Sequence, residues 1–389
     1  LPPGQADLTI SVIRVLGLSF IIGALSNIGI IYFHKDLQFH KEFILKTVPT
    51  LISIVVSVVL VLIYKSIWSL VLGRLTANIF RCIASYLMHP FRPRFRLEPQ
   101  KVKQLWGFGK WVFASTIIGF LLAQGDDFFV WVYIDTVALG LYQAAYKFAN
   151  LPATEITHVV SQVSFPAYSK LQTDIPRLRS SYLKILKLTA CLTVPAAGLI
   201  FLLAPDFVKI FLKDSWQPIW LAIRIMVISG MLRSFGATTG PLFWAVGRPD
   251  ITPKAASGSL VLLAAIILPL THYFGYQGTA MAVLATTIFV QPLCQFFTVR
   301  LIECKYTDLL KVIIAPLISI LTVMVLIYLI RNYLVNIQLK QFGLLSVTYF
   351  AVISSLGIAA YLVILLVIDR VFNCGIMSLF KEQFKALKS

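Results

Sequence analysis

The chain consists of long apolar runs separated by short polar segments. The runs have the length, about 20 residues, that a helix needs to cross the hydrocarbon core of a bilayer. This pattern predicts an all-α polytopic membrane protein, a helical bundle with about eleven transmembrane helices. The eleven predicted spans lie at residues 9–33, 44–64, 67–88, 106–133, 137–165, 188–204, 218–246, 252–271, 277–299, 312–330 and 345–368.

Composition supports this fold class and excludes others. Apolar residues make up 58% of the chain and charged residues only 13%, whereas soluble domains contain about 25% charged residues. No single globular core could bury so many apolar side chains, and a chain this apolar is not disordered. The lipid bilayer is therefore the predicted partner of much of the surface.

Positive charge is distributed unevenly between the two sides of the predicted bundle. The net charge is +18, which in a soluble protein would suggest a nucleic-acid partner. Of the 34 Lys and Arg residues, 23 lie in the loops of one side, five in those of the other and six inside spans. Cytoplasmic loops carry the excess of Lys and Arg. We therefore predict a protein of the cytoplasmic (inner) membrane with a cytoplasmic C-terminus, and no nucleic-acid partner.

The same alternation places the N-terminus outside. The chain starts with Leu1 instead of an initiator Met, and its first eight residues carry no signal-peptide pattern. We therefore expect the chain to be a fragment with further spans upstream.

The first three spans are similar to spans seven to nine. When the two segments are aligned, Ile13-Arg14 falls on Ile223-Arg224 and Ser19 on Ser229. An internal duplication would produce this similarity, and chance matches between apolar segments are the alternative. The domain prediction is a remnant of an N-terminal lobe at 1–88, a basic cytoplasmic linker at 89–105, a six-helix C-terminal lobe at 106–302, and two additional helices with a basic amphipathic tail at 303–389.

Several local motifs are typical of one transporter family. They are Y-K-F-A-N-L-P at 146–152, V-S-F-P-A-Y-S-K-L-Q at 163–172 and G-R-P-D at 247–250. The chain resembles the polysaccharide-unit flippases, the teichuronic and colanic acid exporter branch of the multidrug/oligosaccharidyl-lipid/polysaccharide exporter superfamily. The resemblance implies fourteen helices in two six-helix lobes around a central cavity, three of which would be absent from this chain.

The resemblance also implies a function. Such a protein would translocate a polyprenyl-pyrophosphate-linked oligosaccharide repeat unit by alternating access, for the biosynthesis of lipopolysaccharide or an exopolysaccharide. It would act as a monomeric transporter without a cofactor, and its coupling ion is left open.

Charged residues inside the spans are the candidates for binding such a substrate. Each costs about 2.5–3.5 kcal/mol on insertion scales and so requires an explanation. Arg233 lies near mid-span, and a guanidinium binds phosphate oxygens in a bidentate manner. The sequence predicts a cavity with more cations than acids, and snorkelling to lipid headgroups is the alternative for the two cations nearest the interface. The predicted substrate-binding cations are Arg233, Arg74, Lys147, Arg224 and Arg14, of which Arg14 and Arg224 lie nearest the interface.

Acidic residues and one histidine inside the spans are candidates for a gate or for ion coupling. Asp126 and Lys147 come out at similar depth on consecutive helices, which predicts that they pair, either as a gate or as a structural ion pair. Glu155 and His158 would form a proton relay deeper in the membrane, with a hydrogen-bonded structural histidine as the alternative. The predicted gate and coupling residues are Asp126, Asp127, Glu155 and His158.

No sequence signature of an enzyme or of a metal site is present. The chain lacks the P-loop, H-E-x-x-H and G-x-S-x-G motifs, and its five cysteines are scattered without C-x-x-C spacing. We therefore predict a protein that is not an enzyme, with neither catalytic residues nor a metal. Two alternative functions remain: an ion-coupled multidrug exporter of the same superfamily, and a membrane polysaccharide polymerase or acyltransferase.

Overall fold

The computed structural model of the protein describes residues 3–36, 38–92, 99–334, 341 and 343–372. Every regular element in these ranges is a helix, and they contain no strand. The chain divides into two compact units, Leu1–Val102 and Lys103–Ser389. The predicted all-α class is confirmed, while the finer division into lobes, linker and tail stays a prediction.

The first unit begins with a long helix that is shorter than the first predicted span. That span, 9–33, was wrong at its C-terminal end, because the helix stops at Ala24. Asn27 forms a turn there: its side chain accepts a hydrogen bond from Gly29 N at 2.9 Å and donates one to Phe91 O at 2.7 Å. The helices of this unit are α1 (Pro3–Ala24), α2 (Ile31–Lys35), α3 (Phe39–Tyr64) and α4 (Trp68–Met88).

The second unit contains longer helices. Acidic residues cap two of them: the Asp135 side chain accepts from Ala138 N at 2.6 Å, and the Asp174 side chain accepts from Arg177 N at 3.1 Å. Such caps satisfy backbone donors that a helix leaves unpaired at its start. The helices are α5 (Pro99–Tyr133), whose first four residues belong to the first unit, α6 (Thr136–Leu171), α7 (Ile175–Phe211), α8 (Ile219–Ala245), α9 (Ile251–Leu301), α10 (Tyr306–Leu334) and α11 (Leu344–Phe372).

α9 covers two predicted spans, 252–271 and 277–299. Its 51 residues would measure about 77 Å if straight, far more than the hydrocarbon core. Gly275, with φ 59° and ψ −147°, is non-helical and has a conformation that residues with a Cβ avoid. Thr271 and Thr279 are joined by an Oγ1–Oγ1 hydrogen bond of 2.8 Å, which eight residues of straight helix could not permit. The chain therefore reverses at Gly275.

The hydrophobic core of the second unit is built around α7. Leu186 and Val194 are fully buried on this helix and belong to one apolar cluster with Val323 of α10 and Tyr361 of α11. The Tyr361 hydroxyl donates to Cys191 O at 3.1 Å. Because lipid is as apolar as these side chains, close packing and such hydrogen bonds hold membrane helices together. α10 and α11 are thus packed against α7.

Eight of the described helices are long and apolar enough to cross a membrane. α6 is not among them although it has 36 residues, because polar side chains recur along it. A spanning helix of this polarity needs partners other than lipid, and α8 supplies some of them.

Candidate functional site

One face of α6 carries polar side chains at helical spacing. Gln143, Lys147, Asn150, Thr154 and His158 follow one another at intervals of three or four residues, so they lie on the same side of the helix. All but Asn150 are exposed. Exposed polar and charged groups are expensive in hydrocarbon and mark water-filled cavities or ligand paths. We call these five residues the polar stripe of α6.

Arg233 of α8 reaches this region and is held by neutral groups. Its Nη1 donates to the Tyr146 hydroxyl at 3.1 Å, its Nη2 donates to Asn150 Oδ1, and its guanidinium lies 5.3 Å from the Tyr146 ring centroid. No acid among the described residues pairs with it. Arg233 is half-buried, and none of the contacts that hold it beside the polar stripe offsets its charge with a carboxylate.

A glycine lets α6 and α8 approach closely at this point. A Cβ at Gly230 would lie 2.7 Å from Asn150 Oδ1, nearer than real Cβ contacts occur. The Asn150 amide is oriented by its Nδ2, which donates to Tyr146 O at 2.9 Å, so that Oδ1 faces Arg233. Sequence reasoning did not assign Asn150 a role in the site. Its position one turn after Tyr146, on the helix face that also carries Lys147 and Thr154, was the available signal.

The predicted pair of Lys147 with Asp126 is wrong. Asp126 is buried, and its Oδ2 accepts a hydrogen bond of 2.6 Å from the Tyr142 hydroxyl. Lys147 is exposed and forms no ion pair with any described residue. Five helical residues rotate a side chain by about 140°, so Lys147 points well away from the face on which Tyr142 lies. The prediction rested on the similar depth of Asp126 and Lys147 in the membrane and did not take this rotation into account.

The remaining acids and the histidine lie on the same two helices. Asp127 Oδ2 accepts from Gln143 Nε2 at 2.9 Å, which gives α5 and α6 a second side-chain contact. Glu155 and His158 are both exposed on α6, three residues apart. Their role in coupling stays a prediction.

The other predicted cations have different surroundings. Arg224 of α8 is half-buried, its Nε donates to Phe201 O at 2.9 Å, and its guanidinium lies 5.2 Å from the Phe201 ring centroid and 5.0 Å from that of Trp220. In the first unit, Arg14 is exposed on α1. Arg74 is exposed on α4 and lines a groove of about 740 Å³ between α1 and α4. Their functional roles stay predictions.

No group of three or more His, Cys, Asp or Glu residues in the described part of the chain could hold a metal ion. The region around Arg233 and the polar stripe instead combines an uncompensated guanidinium, an exposed ammonium and several neutral hydrogen-bonding groups. Such a set can bind an anion that carries hydroxyl groups.

Comparison with known proteins gives a family and several relatives. The family described as "Polysaccharide biosynthesis protein" matches residues 5–221. The chain is 25% identical to the lipopolysaccharide biosynthesis protein WzxC of Escherichia coli (strain K12) over 244 residues, which is 62% of this chain and 50% of WzxC. It is 22% identical to the teichuronic acid biosynthesis protein TuaB of Bacillus subtilis (strain 168) over 260 residues, 66% of this chain and 54% of TuaB.

A third relative and a solved structure extend the comparison. The succinoglycan biosynthesis transport protein ExoT of Rhizobium meliloti (strain 1021) is 23% identical over 214 residues, 55% of this chain and 43% of ExoT. The chain thus spans about half the length of these curated relatives. The lipid II flippase MurJ, in an inward closed conformation, has a TM-score of 0.65 at 17% identity, covering 94% of this chain and 83% of MurJ. The predicted resemblance to polysaccharide exporters and the multi-helix fold are confirmed.

Proposed function

Because the chain belongs to the family of polysaccharide biosynthesis proteins, we propose that it translocates a lipid-linked oligosaccharide across the cytoplasmic membrane. The substrate would be an oligosaccharide repeat unit joined through a pyrophosphate to a polyprenyl chain, and the product would feed the assembly of a cell-surface polysaccharide. WzxC, TuaB and ExoT are all named for the biosynthesis of a polysaccharide, and their names and the similarity in fold to a lipid II flippase support this proposal.

The uncompensated charge of Arg233 is the observation that carries the proposal. Of the five N–H donors of a guanidinium, described residues use two, through Tyr146 and Asn150. The remaining donors and the full charge are available to a pyrophosphate, whose oxygens a guanidinium binds in a bidentate manner. A multidrug exporter for cationic drugs would need the opposite charge at this position.

The polar stripe of α6 complements Arg233 for the sugar part of the substrate. Lys147 supplies a second cation, and Gln143 and Thr154 supply exposed hydrogen-bonding groups along the same face. Sugar hydroxyls donate and accept hydrogen bonds, so a row of amide and hydroxyl groups suits an oligosaccharide that passes through the membrane.

The other predicted residues take supporting roles in this proposal. Hydrogen bonds from Tyr142 to Asp126 and from Gln143 to Asp127 join α6 to α5, which supports a role in holding the two helices together. Glu155 and His158 are the candidates for proton coupling. Additional cations that would attract the anionic substrate during alternating access are Arg224, Arg74 and Arg14.

Replacement of Arg233 in the full-length protein tests the proposal. Arg233→Ala removes charge-assisted hydrogen bonds worth about 1.5–3 kcal/mol, so we expect translocation of a labelled polyprenyl-pyrophosphate oligosaccharide in vesicles to fall by roughly 10- to 100-fold. Arg233→Lys keeps the charge but loses the planar guanidinium with its parallel N–H donors. Its activity should lie between those of the wild type and Arg233→Ala.

A matched control is Arg177→Ala on α7. Arg177 is 78% exposed and pairs with Asp174, so its loss should leave translocation unchanged. Wild-type rates in Arg233→Ala would contradict the substrate-binding role of Arg233. Vesicles in which the wild-type protein transfers sugars without moving the lipid between leaflets would contradict transport and favour an enzyme.

A further inference from the structure

The turn between α8 and α9 contains a compact group of charges. Gly247, with φ 73°, ends α8 in a left-handed conformation, and Arg248 N donates to Phe243 O at 2.8 Å. This is the hydrogen-bond pattern of a Schellman helix end. It places Arg248 and Asp250 side by side, and Arg248 Nε donates to Asp250 Oδ1 at 3.0 Å.

Two lysines from different helices approach one indole ring beside this turn. Lys254 Nζ, on the first turn of α9, lies 5.3 Å from the ring centroid of Trp111, and Lys110 Nζ, on α5, lies 5.6 Å from it. Lys254 Nζ also lies 2.8 Å from Asp250 Oδ2. We call Lys110, Trp111, Arg248, Asp250 and Lys254 the rim cluster.

The rim cluster holds more positive charge than its one acid can neutralise. Hydrogen bonds from Arg248 and Lys254 lower the pKa of Asp250 to about 2, so its carboxylate is charged at neutral pH and is already shared by two cations. Lys110 has no acidic partner among the described residues. The cluster therefore carries an excess charge of about +2 beside one aromatic ring, and an added anion would relieve the repulsion between its cations.

The surroundings of the cluster suit a headgroup better than a small ion alone. A cavity of about 470 Å³ opens beside it, lined by Gly107, Trp111, Gly247, Pro249 and Asp250. The cluster lies at the ends of spanning helices, where tryptophan prefers the membrane–water interface. By the distribution of Lys and Arg, this turn is on the side predicted to be cytoplasmic. Basic pockets between helices on that side are where anionic headgroups bind.

We propose that the rim cluster is a binding site for the phosphate of an anionic phospholipid headgroup, with Lys110, Lys254 and Arg248 around the phosphate and Trp111 against the glycerol backbone. The site would tie the part of α5 that carries Lys110 and Trp111 and the α8–α9 turn to the same lipid. It is separate from Arg233 and does not depend on which substrate the protein carries.

The test uses the purified full-length protein and phosphatidylglycerol as the probe. Protein from vesicles of phosphatidylcholine and phosphatidylglycerol is analysed by native mass spectrometry, and retained lipid is counted as phosphatidylglycerol is titrated. Each basic side chain near an anionic lipid surface strengthens lipid binding by roughly fivefold. We therefore expect roughly fivefold weaker retention of phosphatidylglycerol for each of Lys110→Gln and Lys254→Gln, and about 25-fold weaker retention for the double variant. Phosphatidylcholine retention should not change.

A double control removes two cations that already have their own acids. Lys46 pairs with Glu42, and Arg177 pairs with Asp174, so Lys46→Gln/Arg177→Gln should retain phosphatidylglycerol like the wild type. Equal loss in this control would mean a general surface-charge effect and would overturn the site.

Two further outcomes are decisive. Unchanged retention in Lys110→Gln/Lys254→Gln would overturn the proposal outright. Displacement of phosphatidylglycerol from the wild type by millimolar inorganic phosphate would show that the site recognises a free anion and would overturn its assignment to a lipid. Because translocation of the oligosaccharide substrate is not part of the assay, failure here leaves the proposed function standing.

Discussion

Two arginines of the second unit, Arg233 on α8 and Arg331 on α10, have opposite kinds of partner. Arg331 Nη2 donates to Asp206 Oδ1 at 2.9 Å, and the Asp206 side chain is only 3% exposed. Arg233 contacts a hydroxyl and an amide and no acid among the described residues. The first charge is neutralised inside the protein, and the second is not.

The surroundings of the two arginines also differ in polarity. Beside Asp206, Phe207 and Phe211 of α7 pack against Phe350 of α11 in tilted and edge-to-face arrangements, with ring centroids 6.1 and 5.3 Å apart, so apolar side chains adjoin the buried carboxylate of the ion pair. Beside Arg233 runs the polar stripe of α6. An ion pair at an apolar contact between two helices holds those helices together. An unpaired cation next to exposed polar groups instead attracts a ligand. The comparison separates structural from functional charge.

Asp206→Asn should have the largest effect on stability. It leaves Arg331 without its counter-charge at the α7–α10 contact, and breaking a buried pair costs about 3–5 kcal/mol. Arg331 is 40% exposed and regains some hydration, so we expect about 2 kcal/mol, measured as a lower melting temperature of the full-length protein in detergent. Arg233→Ala should lower the melting temperature less, because it removes two hydrogen bonds but leaves no buried charge without a partner.

A double replacement sharpens this result. Asp206→Leu/Arg331→Leu removes both charges, so it should recover much of the stability that Asp206→Asn loses. If Arg233→Ala lowered the melting temperature as much as Asp206→Asn does, the distinction between the two arginines would fail.

Gly230→Ala should disturb the Arg233 site with little net change in stability. The new Cβ would lie 2.7 Å from Asn150 Oδ1 and would push the amide away from Arg233. Alanine favours the helix by about 1 kcal/mol over glycine, which offsets much of the steric cost. Because the lost hydrogen bond orients Arg233 and does not contact the substrate, we expect a smaller effect than in Arg233→Ala, roughly five- to tenfold slower translocation.

Gly240→Ala is the matched control on the same helix. A Cβ at Gly240 has no heavy atom within 4 Å, so translocation should match the wild type. Equal slowing in both variants would point to helix flexibility rather than to the position of Asn150.

Sequence reasoning identified the spans and singled out Arg233, but it could not identify that residue's partners. Hydropathy fixes where each helix lies along the chain, and depth follows from residue counts. The rotation of one helix relative to its neighbour cannot be obtained from residue counts. For this reason the prediction paired Asp126 with Lys147 instead of with Tyr142. The Asp206–Arg331 pair was missed for a related reason: its members are 125 residues apart, and Arg331 was counted as a loop residue.

Tyr146→Phe should have the smallest effect on translocation of these variants. It tests whether a neutral partner positions Arg233, which is the feature that distinguishes Arg233 from Arg331. The phenyl ring keeps the contact 5.3 Å from the guanidinium carbon of Arg233, but the hydroxyl that accepts from Nη1 at 3.1 Å is lost. Because this hydrogen bond orients Arg233 and does not contact the substrate, its loss should slow translocation less than Arg233→Ala does, by roughly two- to tenfold if Tyr146 only orients Arg233. The freed donor of Arg233 can also turn to the substrate, in which case the apparent affinity for the lipid-linked oligosaccharide rises while the maximal rate falls. Initial rates at several substrate concentrations distinguish these outcomes, and a variant identical to the wild type in both would show that Tyr146 does not position Arg233.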